Sequence, residues 1–272
     1  MEAQSPVESQ RVAIELAGAS VVYGAHVALD AVTLEIAAGS SVALIGPNGS
    51  GKTTLLHLVA GLIKPSSGSI RVHGGPSAVA YVLQRRQPHA WMPLTVAEVL
   101  AMGRYRHLGL LRRARPADRA AISAAVERLE VVDLLPRQFG ELSGGQRQRV
   151  MVAQALAQQP EILLLDEPIT GLDLPSQQRI LDILDAEAER GVTVLLATHH
   201  LDEARHCDRV LVFANRIADD GAPEDVLTPE RLSVAFRGRV LGPHDKHGHA
   251  HELLVFDEHG HGHDHDDPLA QH

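Results

Sequence analysis

The chain carries a single cysteine, Cys207, among 272 residues. A disulfide within the chain is therefore excluded, which fits a reducing compartment. No run approaches the ~18 consecutive apolar residues of a membrane-spanning helix, so any membrane role has to pass through a partner. The opening stretch, MEAQSPVESQ, lacks a basic segment followed by an apolar one, and no secretory signal is expected. Basic charge is scarce too. The net charge is -9, and seven acids against one lysine between His244 and His272 supply -6 of it. The remaining body, at about -3, offers no basic face for nucleic acid. No repeat has the period of a solenoid.

What is present suffices for a large core. Hydrophobic residues make up 44% and charged residues 22%, an ordinary globular composition. RVAIELAGASVVY (11 to 23) and VTLEIAAGS (32 to 40) partly alternate, as half-buried strands do. SVALI (41 to 45) reads as a buried strand. A helix is expected from Lys52, stopping near Gly61 and Pro65. SIRVHG and AVAYVLQ suggest two more strands. From Thr95 to about Gln159 strand candidates vanish and helical stretches take over, among them 117 to 132. ILLL (162 to 165) and VTVLLAT (192 to 198) have the composition of central parallel strands covered on both faces. RVLVF (209 to 213) is expected to pair with the stretch after Asn215. The pattern is that of an α/β protein with a helical insertion.

Three stretches carry chemistry. GPNGSGKT matches G-x-x-x-x-G-K-[ST] between a strand and a helix, and runs through Gly46, Pro47, Asn48, Gly49, Ser50, Gly51, Lys52 and Thr53. Thr54 follows. Such a loop points backbone N–H groups at phosphate oxygens, and the helix start adds positive potential. Lys52 is expected to reach the β- and γ-phosphates, and Thr53 to ligate Mg²⁺. ILLLDEP ends an apolar strand in two acids. Asp166 is placed to hold Mg²⁺ and Glu167 to act as general base toward water. LSGGQRQR sets Ser143, Gly144, Gly145 and Gln146 at the start of a helix. This is a second phosphate reader. One nucleotide does not need two from one chain, so this one is expected to serve a nucleotide held by another copy.

Together these stretches resemble the ATP-binding subunits of ABC transporters, over roughly residues 10 to 235. The resemblance implies an ABC-type P-loop ATPase: a mainly parallel sheet, an N-terminal antiparallel β subdomain, and a helical subdomain (about 90 to 159) bearing the signature motif. It implies that Tyr23 stacks on adenine. Gln84 is implied to join Thr53 and Asp166 in holding Mg²⁺. Asp173 is implied to cross a dimer interface, and His199 to contact the γ-phosphate. The chain reads TGLD where SALD is commoner, and His200 stands where the family usually has Asp. ATP and Mg²⁺ are the implied cofactors. The implied partners are a second copy, integral membrane permease subunits and, indirectly, an extracytoplasmic metal-binding protein. The implied place is the cytoplasmic face of the membrane.

The text after Gln84, with TVAEVLAMGRY and LGLLRR, resembles importers of zinc, manganese, iron chelates and haem. Residues 236 to 272 form an appendage holding nine of the 17 histidines. One cluster is His244, His247, His249 and His251; the next is His259, His261, His263 and His265. In an extended chain residues two apart face the same way, about 7 Å apart, and two imidazoles can converge on one ion. Neutral imidazole suits zinc better than manganese. Zinc import is therefore expected first and manganese next, with Zn²⁺ bound on the tail. The alternatives are an iron-chelate, haem or cobalamin-type importer, and a non-transport ATPase of the same superfamily. His26, His57, His73, His89 and His107 are expected to be packing or surface residues. Cys207 is expected to be a small buried hydrophobe on a helix.

Overall fold

The computed structural model describes residues 11–83, 93–108 and 115–236, with the backbone alone at 107 and 108. Gln84, His89 and all the tail histidines lie outside the described residues.

Two sheets form among the described residues. The first is antiparallel, in the order β2-β1-β4, from β1 (Val12–Tyr23), β2 (His26–Ala37) and β4 (Ser67–Val72). The second has the order β5-β6-β7-β3-β8-β9. It contains β3 (Ser41–Ile45), β5 (Val79–Val82), β6 (Ile162–Asp166), β7 (Thr193–Thr198), β8 (Arg209–Phe213) and β9 (Ile217–Gly221). All its pairings are parallel except the closing β8–β9 hairpin.

The central strands are continuous apolar runs because both faces are covered. On β3, Val42 and Leu44 face the core shared with α1 (Lys52–Val59) and the antiparallel sheet. Ala43 and Ile45 face the opposite core, packed by helices. The same alternation sends Ile162 and Leu164 one way from β6, and Leu163 and Leu165 the other. On β7, Leu195 and Ala197 oppose Val194 and Leu196.

The expected helical insertion is present. It holds α2 (Val96–Met102), α3 (Tyr105–Leu108), α4 (Pro116–Arg128) and α5 (Gly144–Leu156). Thr95 starts α2 with a capping box, its hydroxyl facing the Glu98 N–H while the Glu98 carboxylate accepts from the Thr95 N–H at 2.7 Å. α2 is bolted to α5 by Gln154, whose amide donates to the Val99 carbonyl at 2.9 Å. The Arg104 guanidinium is buried between Asp118 at 3.0 Å and the Ala157 carbonyl at 2.9 Å. Among the described residues the further α-helices are α6 (Leu174–Glu189), α7 (Leu201–Arg205), α8 (Pro223–Val226) and α9 (Pro229–Ala235).

Three expectations need correction. β2 begins at His26 rather than 32, because the chain turns back at once after Tyr23 and the two residues pair across the hairpin. α4 ends at Arg128 rather than near 132: Glu130 takes a left-handed φ of 48°, which lets Val131 turn into the core. Cys207 is buried, but in the turn after α7 rather than within a helix. Burial pushes its thiol up to about 12, so it is an inert packing group.

Candidate active site

The phosphate-loop sequence lies between the end of β3 and the start of α1. Gly49 and Gly51 hold φ values of 80° and 100°, which other residues rarely tolerate. Gly51 is also hemmed in: a β-carbon there would lie 2.5 Å from the Ala28 carbonyl oxygen. One on Gly46 would lie 2.4 Å from that of Phe213. The loop is thus wedged between β2 and the end of β8. No side chain caps α1, which leaves its first N–H groups without a side-chain acceptor. Lys52 is only 6% exposed. Its ammonium donates to the carbonyls of Gly46 and Pro47 at 2.5 and 3.1 Å. The Ser50 hydroxyl oxygen is buried without a hydrogen-bond partner among the described residues.

The two acids sit at the carboxyl end of β6. Asp166 is buried and accepts from the Thr53 hydroxyl at 2.8 Å and from Tyr81 at 3.4 Å. Burial pushes the Asp166 carboxyl up, and the neighbouring Glu167 charge adds to this; the Thr53 hydrogen bond and Lys52 pull the other way. Burial and Asp166 together push the Tyr81 phenol up. Glu167 leaves the strand with φ at 48°, and its N–H donates to the Ala197 carbonyl at 2.9 Å. One of its carboxylate oxygens is 3.3 Å from Nδ1 of His199, just past the end of β7. The Glu167 hydrogen bond raises the His199 pKa above its ordinary 6.5. The His200 ring lies against that of His199, centres 4.1 Å apart and planes tilted by 37°, and its N–H donates to the Thr198 hydroxyl.

The LSGGQ stretch begins α5. Ser143 caps it: the Ser143 hydroxyl accepts from the Gln146 N–H at 3.3 Å, and the Gln146 side chain accepts from the Ser143 N–H at 3.0 Å. The hydroxyl still has its own O–H to donate. A β-carbon on Gly145 would stand 2.8 Å from the Ser176 hydroxyl, so this helix start abuts that of α6. Asp173 precedes α6, and the Ser176 hydroxyl holds its carboxyl below the usual range. Tyr23 ends β1, half exposed at the hairpin tip.

The structure therefore brings Lys52, Thr53, Asp166, Glu167 and His199 into one connected cluster, and Ser143, Gly145 and Asp173 into another. Two residues at the first cluster carry no sequence motif. Tyr81 reaches Asp166 from β5. Asn215 reaches the phosphate loop from the β8–β9 turn. An asparagine between two strands signals a turn, but not what the turn touches.

A family model described as "ABC transporter" matches residues 29–170. The chain belongs to that family. It is the family's ATP-binding domain, an ATPase. This ABC ATPase is 37% identical to the ATP-binding protein of a manganese transport system from Synechocystis sp., over 84% of this chain and 91% of the relative. It is 39% identical to the ATP-binding protein of a zinc transport system from Treponema pallidum, over 77% and 81%. Among solved structures it resembles a metal-chelate type ABC transporter in an inward-facing conformation, with a TM-score of 0.75, 28% identity and coverage of 84% and 90%. A dimeric bacterial ABC transporter cassette superposes with a TM-score of 0.66 at 27% identity, covering 77% of this chain and 98% of that one. Among the described residues, no helix is long and apolar enough to cross a membrane.

The Glu167–His199 contact makes a signed prediction. A raised imidazole pKa means the contact favours the protonated ring. Its contribution is complete below about pH 6.5 and is lost as pH rises through the raised value. Titration of His199 by NMR should give a midpoint above 6.5, falling in Glu167→Gln. An unchanged midpoint in the variant would show that Glu167 is not the cause.

Proposed function

We propose that this ATPase powers uptake of a transition metal ion through a partner permease, working as a head-to-tail pair of copies. The observation that carries the hydrolytic part is the linked row Thr53–Asp166–Glu167–His199 beside the phosphate loop, with contacts of 2.8 and 3.3 Å at its ends.

In this reading Gly46 to Thr54 wrap the phosphates of ATP, with Lys52 leaving its loop carbonyls to meet the β- and γ-phosphates. Thr53 and Asp166 offer adjacent hard oxygen donors, which fit Mg²⁺; Gln84 is assigned there by resemblance. When bound, the ion neutralises phosphate charge. Glu167 accepts the proton of the attacking water. His199, held by Glu167, donates toward the γ-phosphate. Hydrolysis of this kind needs positioning and charge neutralisation rather than a covalent enzyme intermediate. Tyr23 stacks on adenine. Ser143, Gly144, Gly145 and Gln146 read the γ-phosphate held by the other copy, and Asp173 crosses between copies. Closure on ATP and reopening after hydrolysis form the two-state element that a permease uses. The ATPase body spans 10–235 with its helical subdomain near 90–159, and 236–272 is the appendage. The pair sits on the cytoplasmic face of the membrane, and an extracytoplasmic metal-binding protein delivers the cargo to the permease.

Zinc is the proposed cargo, supported by the imidazole pairs of the tail. Manganese is the second reading, favoured by relatives named for manganese transport in Synechocystis sp. and Listeria monocytogenes, at 37% and 35% identity. His244, His247, His249, His251, His259, His261, His263 and His265 are the proposed Zn²⁺ ligands.

Two experiments test this reading. Glu167→Gln should bind ATP as tightly as the parent, lower turnover by at least about a hundredfold, and accumulate closed dimers with ATP. Near-parental turnover would remove Glu167 from the role of base. Zinc titration of the intact chain should show binding that a chain ending at residue 242 lacks, and that fades below about pH 6.5 as the imidazoles protonate. Equal zinc affinity of the two chains would leave the tail without a metal role.

A further inference from the structure

Asn215 sits between β8 and β9 with φ at 63°. Asparagine is one of the few side chains that take this left-handed conformation readily. Its contacts reach well beyond its own turn. Its backbone N–H donates to the Ser50 carbonyl at 2.9 Å, and its carbonyl accepts from the Asp30 N–H at 2.9 Å. Its side-chain NH₂ faces three carbonyl oxygens: Val27 at 3.2 Å, Gly49 at 3.3 Å and Ala28 at 3.5 Å. One residue therefore joins the phosphate loop, β2 and the β8–β9 turn.

Peptide geometry says what this does to the loop. The Gly49 carbonyl shares a peptide plane with the Ser50 N–H, and the Ser50 carbonyl shares one with the Gly51 N–H. In a trans peptide the two groups point in opposite directions. Holding both carbonyls on the Asn215 side turns both N–H groups away from it, into the loop. The Ser50 N–H indeed meets the Pro47 carbonyl across the loop at 3.2 Å. A loop held in this form before its ligand arrives loses less freedom on binding.

We propose that Asn215 is a positioning residue of the ATP site. It locks the Ser50 amide onto the Pro47 carbonyl, aims the Gly51 amide at the phosphates, and ties the loop to β2, the strand that starts three residues after Tyr23. The inference rests on the ATP-site reading given above. Glycine at 215 would keep the backbone conformation and both backbone hydrogen bonds but remove the amide. Aspartate would keep the volume and set an acceptor against three acceptors.

Steady-state ATPase kinetics of the full-length chain test this, with Lys52→Ala run in parallel and thermal melts of every variant. Asn215→Gly should raise KM for Mg-ATP about tenfold and leave kcat within about threefold, because saturating nucleotide restores the loop. Asn215→Asp should raise KM at least as much. A merely structural residue would lower the melting temperature and kcat with KM unchanged. That pattern, or an unchanged KM in both Asn215 variants, overturns the proposal. If Lys52→Ala also leaves KM and kcat unchanged, the ATP-site reading itself falls; if Lys52→Ala is impaired while the Asn215 variants keep the parental KM, this inference alone falls.

Discussion

The register of three buried parallel strands holds the rest of the molecule to its purpose. Asp166 on β6 pairs with Ala197 on β7, and Ile45 at the end of β3 pairs with Thr198. The three strands therefore stop in one row. The phosphate loop, the two acids and His199 all follow directly from those ends. Side chains alternate along a strand, so a slip of one residue would swap the two cores and point the acid of β6 elsewhere. The alternate burial of Val42 and Ala43, Leu163 and Leu164, and Leu195 and Leu196 opposes any slip.

At that row the structure accepts local costs. A buried carboxylate is unfavourable unless hydrogen-bonded, and Asp166 has the Thr53 hydroxyl and Tyr81. A left-handed φ at a non-glycine residue costs about 1–3 kcal/mol. Glu167 adopts one at the site; Asn215 does too, at less cost because asparagine tolerates this conformation. The turn at Glu167 takes its carboxylate off the strand axis toward His199. The turn at Asn215 brings an amide onto the loop. Ala31, Glu130 and Gln159 also take a left-handed φ, so such turns serve the packing of the fold as well as the site.

How much of this was legible in the sequence depended on how local each feature is. β3, the start of α1 and the capped start of α2 follow from neighbouring residues: an apolar run, a glycine loop, a Thr-x-x-Glu box. LSGGQ foretold a helix start, and Ser143 with Gln146 forms that cap. The early start of β2 was obscured because the turn after Tyr23 interrupts the alternation. The end of α4 was hidden because Val131 is drawn into the core by tertiary packing. Tyr81 and Asn215 could not be read as site residues. Their partners lie 85 residues away for Tyr81, and 166 and 188 away for Asn215, and only the fold brings them together. The stretches that do carry motifs were legible because a glycine loop, a strand end and a capped helix start are short, contiguous backbone shapes.

The central claim is that strand register makes Glu167 and His199 one catalytic unit, joined at 3.3 Å. A double-mutant cycle on ATP turnover tests it most directly, using Glu167→Gln, His199→Ala and the double variant. Groups that act as a unit are strongly non-additive, so the double variant should turn over within about threefold of the slower single variant. Losses that multiply across the two sites would contradict the account.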